Sequence, residues 1–190
     1  DYALRRARVA QPRLVVTCGV SGSGKSWLAE RLVPRLPAIR VRSDVERKRL
    51  HALAPTARAG AGIGEGLYAA SSTAATYERL ASAADALLDA GLDAIVDATF
   101  LDPAQRDAFE ALAARRGAAF RILYCTAPEE TLFERVRARA RAATDPSDAD
   151  ERVLRAQLDG LGVEPAGVAV VRVDTSLPVD WDATVRALLG

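Results

Sequence analysis

The feature that most constrains this chain is Gly19-Val20-Ser21-Gly22-Ser23-Gly24-Lys25-Ser26, which reads G-x-x-x-x-G-K-S. Leu14-Val15-Val16-Thr17-Cys18 precedes it, a short apolar, β-branched run of the kind that forms a buried parallel strand. From Trp27 to Val33, Leu28 and Leu32 recur one helical turn apart, with Glu30 and Arg31 between them. Strand, glycine-rich loop and helix, in that order, is the context in which this motif binds phosphate. Gly19, Gly22 and Gly24 permit turns that side chains forbid, so the N–H groups of Val20, Ser21 and Ser23 can join theirs around an anion. The helix that follows adds the positive end of its dipole. Lys25 is spaced to reach the β- and γ-phosphates of ATP, and Ser26 to ligate Mg2+ through its hydroxyl. Lys25 and Lys48 are the only lysines, so a chance match is on the order of one in a thousand. Arginine serves nearly everywhere else, but a compact ammonium is what a phosphate pocket needs.

Composition narrows the partners. The chain has 190 residues, a usual size for one domain, and is 49% hydrophobic, enough for a full core. Its net charge of +1 leaves no basic excess to hold nucleic acid and no strong field for a membrane surface. Aromatics at 5% are too few for base-stacking platforms. No apolar run approaches the ~18 residues of a membrane helix. Cys18 and Cys125 read as free thiols of a cytoplasmic protein, because disulfides are rare where ATP is used. The chain lacks Met and begins at Asp1, which reads as processing or, preferably, as a piece of a longer protein.

Residues 1–12 are polar and Arg-rich and read as a linker or N-terminal extension; 13–190 reads as one domain. Further strands are expected at Ala38–Arg42, Asp93–Phe100, Phe120–Cys125 and Val168–Val173. Helices are expected at Val45–Leu53, Thr73–Ala90, Pro103–Arg116, Glu129 to about Ala142, a segment capped by Ser147 and ending at Leu158, and Asp180–Leu189. Four glycines at spacing two, Gly60 to Gly66, defeat both helix and strand; that loop is either a plain connection or a segment that closes over substrate. Strands alternating with helices mean a parallel sheet with helices on both faces, and ligands at the carboxyl ends of its strands. Lys25, Asp44, Asp97, Thr99, Cys125 and Asp174 all fall there.

Several of these residues suggest chemistry. Asp97 ends the run Ala94-Ile95-Val96, as an acid that supports Mg2+ would; a solvated strand end is the alternative. Asp44 follows the second strand. It either caps a helix or accepts the proton of a substrate hydroxyl. Arg47 and Lys48, with Thr99, are then candidates to hold that substrate. Arg135 and Arg139 lie one turn apart beside the stripe Leu132, Phe133, Val136 and Ala140. They form either a solvated charged face or a clamp on a transferring phosphoryl group, and the break at Thr144-Asp145-Pro146 makes residues 135–150 look like a lid. His51, the only histidine, is expected at the surface, and Arg106, one turn into the helix after the third strand, either faces the site or lies away from it.

Four stretches carry a resemblance: Gly19–Ser26, Val41–Lys48, Ile95–Phe100, and Glu134–Arg139 followed by Ser147-Asp148-Ala149. Together they resemble the small P-loop kinases grouped with gluconate kinase, shikimate kinase, chloramphenicol phosphotransferase and the zeta toxins. More narrowly, they look like a kinase family often fused behind a domain similar to aminoglycoside phosphotransferases. The resemblance implies an α/β, three-layer fold with a five-stranded parallel sheet in order 2-3-1-4-5. It also implies ATP as donor, a small-molecule hydroxyl as acceptor, Asp44 as base, and a lid bearing catalytic arginines. A nucleotide kinase, or an ATP-binding regulatory module with little turnover, remains an alternative.

Overall fold

The computed structural model describes residues 11–54, 70–142, 146–167 and 169–190. Most of the expected N-terminal extension and the whole Gly60–Gly66 loop lie outside the described residues. Strand β1 (Arg13–Cys18) is the centre of the sheet, because its apolar residues are buried on both faces. β2 (Ala38–Arg42), β3 (Asp93–Asp97), β4 (Ala119–Thr126) and β5 (Val170–Asp174) complete one sheet in the order β2-β3-β1-β4-β5. Every pairing is parallel. The order and the parallel sense are those the resemblance implied.

The two-residue period of β1 sorts its side chains between two cores. Leu14, Val16 and Cys18 join Leu80, Ala84 and Leu88 of α3 (Ala70–Asp89) and Phe109 and Leu112 of α4 (Pro103–Arg115). Val15 points the other way, into Leu28 and Leu32 of α1 (Lys25–Leu32) and Leu188 of α7 (Trp181–Leu189). Helices therefore cover both faces, and each fully buried leucine contributes about 1.5–3 kcal/mol. At the amino edge Arg13 donates its N–H to Asp93 Oδ1 at 2.9 Å and forms an ion pair with the same carboxylate. This locks β1 to β3 and holds their carboxyl ends level at the opposite edge.

Three helices surround that edge: α2 (Ser43–Leu50), α5 (Glu129–Ala142) and α6 (Glu151–Asp159). Leu132 and Val136 of α5 and Leu154 of α6 pack with Val20 of the phosphate loop. Ala140, expected in the same stripe, is exposed one turn further on. The expected cap of α6 also moves. Asp150, not Ser147, accepts the N–H groups of Arg152 and Val153, so the helix starts later. β3 ends at Asp97, and Phe100 beyond it adopts φ 44°, outside strand geometry. That conformation is disfavoured for a bulky residue. It is held by Tyr77 Oη, which accepts the Phe100 N–H at 3.1 Å, and by Arg106, which donates to the Phe100 carbonyl at 2.8 Å.

Candidate active site

The phosphate loop runs from the end of β1 into α1. Gly19 donates its N–H to the Thr99 carbonyl at 3.0 Å, tying the loop to the end of β3. Gly22 and Gly24 are obligatory on both conformational and steric grounds. Gly22 has φ 82°, and a Cβ there would lie 2.6 Å from the Leu132 carbonyl oxygen of α5. Gly24, at φ 83°, is the N-cap residue of α1, and its Cβ would meet the Thr175 hydroxyl at 2.8 Å. α1 therefore begins at Lys25 with its free N–H groups facing the loop.

Lys25 is buried, and its Nζ donates to the Val20 carbonyl at 2.6 Å. Burial pushes its pKa down, opposed chiefly by the carboxylate of Asp97. One cleft of about 280 Å³ brings together Ser21, Lys25, Ser26, Asp44, Arg47, Asp97, Thr99 and Arg139. These come from the loop and the start of α1, from α2, from the end of β3 and the residues after it, and from α5, segments spread over more than half the chain. Asp44 does not cap its helix: the N-cap residue is Arg42, with no side-chain cap bond, and Asp44 is already helical. Its Oδ1 pairs with Arg47 at 3.2 Å inside the same turn.

Asp97 is 3% exposed and held from β2. Arg40 donates to its Oδ2 from both Nε and Nη2, and Arg42 Nε lies 3.6 Å away. Register explains this, since Arg42 is the direct partner of Asp97 across the β2–β3 pair. No group of three His, Cys, Asp or Glu side chains gathers around a point among the described residues. Ser26 and Asp97 offer only oxygen, which suits a hard cation that keeps water and phosphate oxygens as its other ligands. The residues present therefore fit Mg2+ held jointly with a nucleotide.

Two predicted site residues lie differently from the rest. Lys48 is 2% exposed and pairs with Asp148 at 3.1 Å, binding α2 to the segment before α6; it is not among the residues lining the cleft. Arg135 also stays out of the cleft lining. Its guanidinium donates to the Gly22 carbonyl, the Thr175 hydroxyl and the Thr175 carbonyl at 2.7–3.2 Å, bracing the phosphate loop against the end of β5. Arg139 lies nearer the chamber, where its Nη2 donates to the Ala149 carbonyl at 2.9 Å. Arg106 sits away from the cleft, spending its guanidinium on the carbonyls of Phe100, Leu101 and Val163. His51 is exposed and bonds Ser72.

Sequence reasoning missed several lining residues: Thr73, Tyr77, Asp102, Gln105 and Gln157. Tyr77 packs edge-on against Phe100, and its hydroxyl also meets Thr99 Oγ1 at 3.3 Å. Gln157 carried a faint signal. It is an uncharged polar residue three positions after buried Leu154, on the side of α6 that faces the loop. Cys18 and Cys125 are free and buried, and burial pushes the Cys125 thiol up to about 12, so neither competes as a nucleophile.

The fold agrees with comparisons to known proteins. A candidate kinase of Chloroflexus aurantiacus superposes with a TM-score of 0.71 at 21% identity, over 93% of this chain and 96% of that one. The Mycobacterium tuberculosis APS kinase, solved with AMPPNP and APS, gives 0.64 at 23%, over 94% and 98%. A gluconokinase of Sinorhizobium meliloti gives 0.58 at 23%, over 94% and 90%. Uncharacterized proteins of Mycobacterium bovis and Mycobacterium tuberculosis are 29% identical over 143 residues, 75% of this chain. The chain spans only 29% of the length of those relatives. No described helix is long and apolar enough to cross a membrane. Residues 14–163 match the model of a family described as an AAA domain, and the chain belongs to that family, with the fold of the small P-loop kinases.

Proposed function

We propose that this chain transfers the γ-phosphoryl group of ATP, with Mg2+, to a hydroxyl of a small molecule. The observation that carries the reading is the single cleft shared by Lys25, Ser26, Asp44, Asp97 and Arg139. In this reading the loop N–H groups and Lys25 hold the β- and γ-phosphates. Ser26 and Asp97 hold Mg2+, which when bound neutralises phosphate charge. Asp44 accepts the proton of the acceptor hydroxyl, oriented by Arg47 beside it. Arg139 stabilises charge on the transferring group. Arg135 acts through the loop it braces. Thr99 and Arg47, with Tyr77 and Gln105, form the acceptor end. Residues 135–150 serve as the lid of one domain over 13–190, in a cytoplasmic protein with a further domain resembling aminoglycoside phosphotransferases.

The test is a panel of sugars, polyols, amino alcohols and nucleosides with Mg·ATP, scored by ADP release. At least one hydroxyl compound should drive release, with a phosphate ester as product, and Lys25→Ala should abolish it. One observation favours a second reading: the chain covers under a third of its relatives' length, as a nucleotide-binding module of a larger protein would. That module predicts tight Mg·ATP binding with no acceptor-dependent ADP release, whereas a nucleotide kinase predicts release with nucleoside monophosphates alone.

A further inference from the structure

One donor of the phosphate loop is already in use. The Ser21 N–H donates to Gln157 Oε1 at 2.7 Å, across 136 positions of sequence. The contact is built into the fold. Gln157 is half-buried on α6, and Leu154 one turn before it is fully buried against Val20, Leu132 and Val136 around the same loop. The donor also settles the carboxamide's orientation, since only its oxygen can accept.

The position of that N–H indicates which phosphate it serves. Ser21 lines the cleft with Lys25, Asp44, Asp97 and Arg139, on the acceptor side of the loop. A Cβ on Gly22 or Gly24 would instead meet Leu132 or Thr175, neither of which lines the cleft. A phosphate loop binds by offering its N–H groups to phosphate oxygens, and one N–H makes one well-aligned hydrogen bond. An oxygen of the terminal phosphate that takes the Ser21 N–H must therefore displace the Gln157 carboxamide.

We infer that Gln157 is a specificity-determining residue that competes with the terminal phosphate of a nucleoside triphosphate for the Ser21 N–H. A diphosphate does not extend to the acceptor side and leaves the Ser21–Gln157 bond intact. Gln157 thus narrows the preference for triphosphate over diphosphate. A carboxamide suits this role because it accepts as a phosphate oxygen does but carries no charge, so the phosphate can win. The inference rests on the nucleotide-binding reading above.

The experiment is calorimetric titration of the wild-type chain, Gln157→Met, Gln157→Ala and Gln157→Glu with a non-hydrolysable ATP analogue and, separately, with ADP, both with Mg2+. Gln157→Met keeps the length of the stem and the packing on α6 while removing the acceptor, so it stands in should Gln157→Ala fold poorly. Met and Ala should tighten analogue binding about three- to tenfold, the worth of one released neutral hydrogen bond, with ADP affinity unchanged. Gln157→Glu should weaken the analogue by at least about tenfold, because a carboxylate on the loop repels the phosphate, and weaken ADP much less. An unchanged analogue-to-ADP ratio in both Met and Ala, or a ratio that falls in them, overturns the inference while leaving the nucleotide-binding reading intact. If the wild-type chain binds neither ligand, that reading fails and the inference fails with it.

Discussion

Substituting Asp44 by Asn separates chemistry from structure at the residue proposed as base. The carboxylate contributes little to folding. It forms no capping bond, because Arg42 is the N-cap residue of α2. A negative charge in the first turn of a helix is worth about 0.3–1 kcal/mol. Its ion pair with Arg47 spans one turn, with 21% of the Asp44 side chain exposed, and such pairs are worth about 0.2–1 kcal/mol. Asn keeps the shape and the ability to accept from Arg47. The loss of stability should be about 1 kcal/mol, a drop of roughly 2–4 °C in melting temperature for a chain of this size. General-base catalysis contributes about 10²–10⁴-fold, or about 2.7–5.4 kcal/mol of the activation barrier. With a working acceptor, kcat should fall by about two powers of ten or more, while affinity for a non-hydrolysable ATP analogue stays near wild type. Arg47→Ala removes the same ion pair but leaves the carboxylate; because Arg47 orients Asp44 and faces the acceptor, it should raise KM for the acceptor and lower kcat less than Asp44→Asn does. If Asp44→Asn keeps kcat within a few-fold of wild type, Asp44 is not the base.

Two further outcomes follow from buried charges. The folded-state pKa of Lys25 is depressed by burial, so the folded chain binds that proton less tightly than the unfolded chain, and Lys25 opposes folding while it is charged. Its unfavourable contribution should disappear as pH rises from the depressed pKa through the usual lysine value near 10.5. The stability of wild type relative to Lys25→Met should therefore rise over that window in denaturant titrations, and a flat or falling difference refutes the assignment. Arg106→Ala leaves the carbonyls of Phe100, Leu101 and Val163 without their charged donor and releases the left-handed Phe100. It should cost about 3 kcal/mol or more, seen as a fall of roughly 6 °C or more in melting temperature. Arg106→Lys should recover little of it, because an ammonium cannot reproduce a fork spread over three carbonyls; full recovery by Lys would contradict the geometry.

Local patterns in the chain were enough to determine the loop, the alternation of strands and helices, and the edge of the sheet where polar residues gather. β2 was legible to the residue and α5 nearly so, since Ala38–Arg42 alternates cleanly and the helix was expected from Glu129 to about Ala142. The motif Gly19–Ser26 carried its own evidence because each glycine, and the lysine, is demanded by phosphate chemistry over eight contiguous positions. Ser147 and Asp150 show the first limit. Both are good caps by residue type, and only the packing of Leu154 on the loop decides where α6 starts. Arg135 and Arg139 show the second. They lie one turn apart on one helix, yet one braces Gly22 and Thr175 and the other lines the cleft. Lys48 pairs with Asp148, Arg40 and Arg42 converge on Asp97, and Gln157 reaches the Ser21 N–H. Periodicity reports a residue's face over a few positions. Which partner meets that face depends on strand register and helix placement, and these are set only when the whole core has packed.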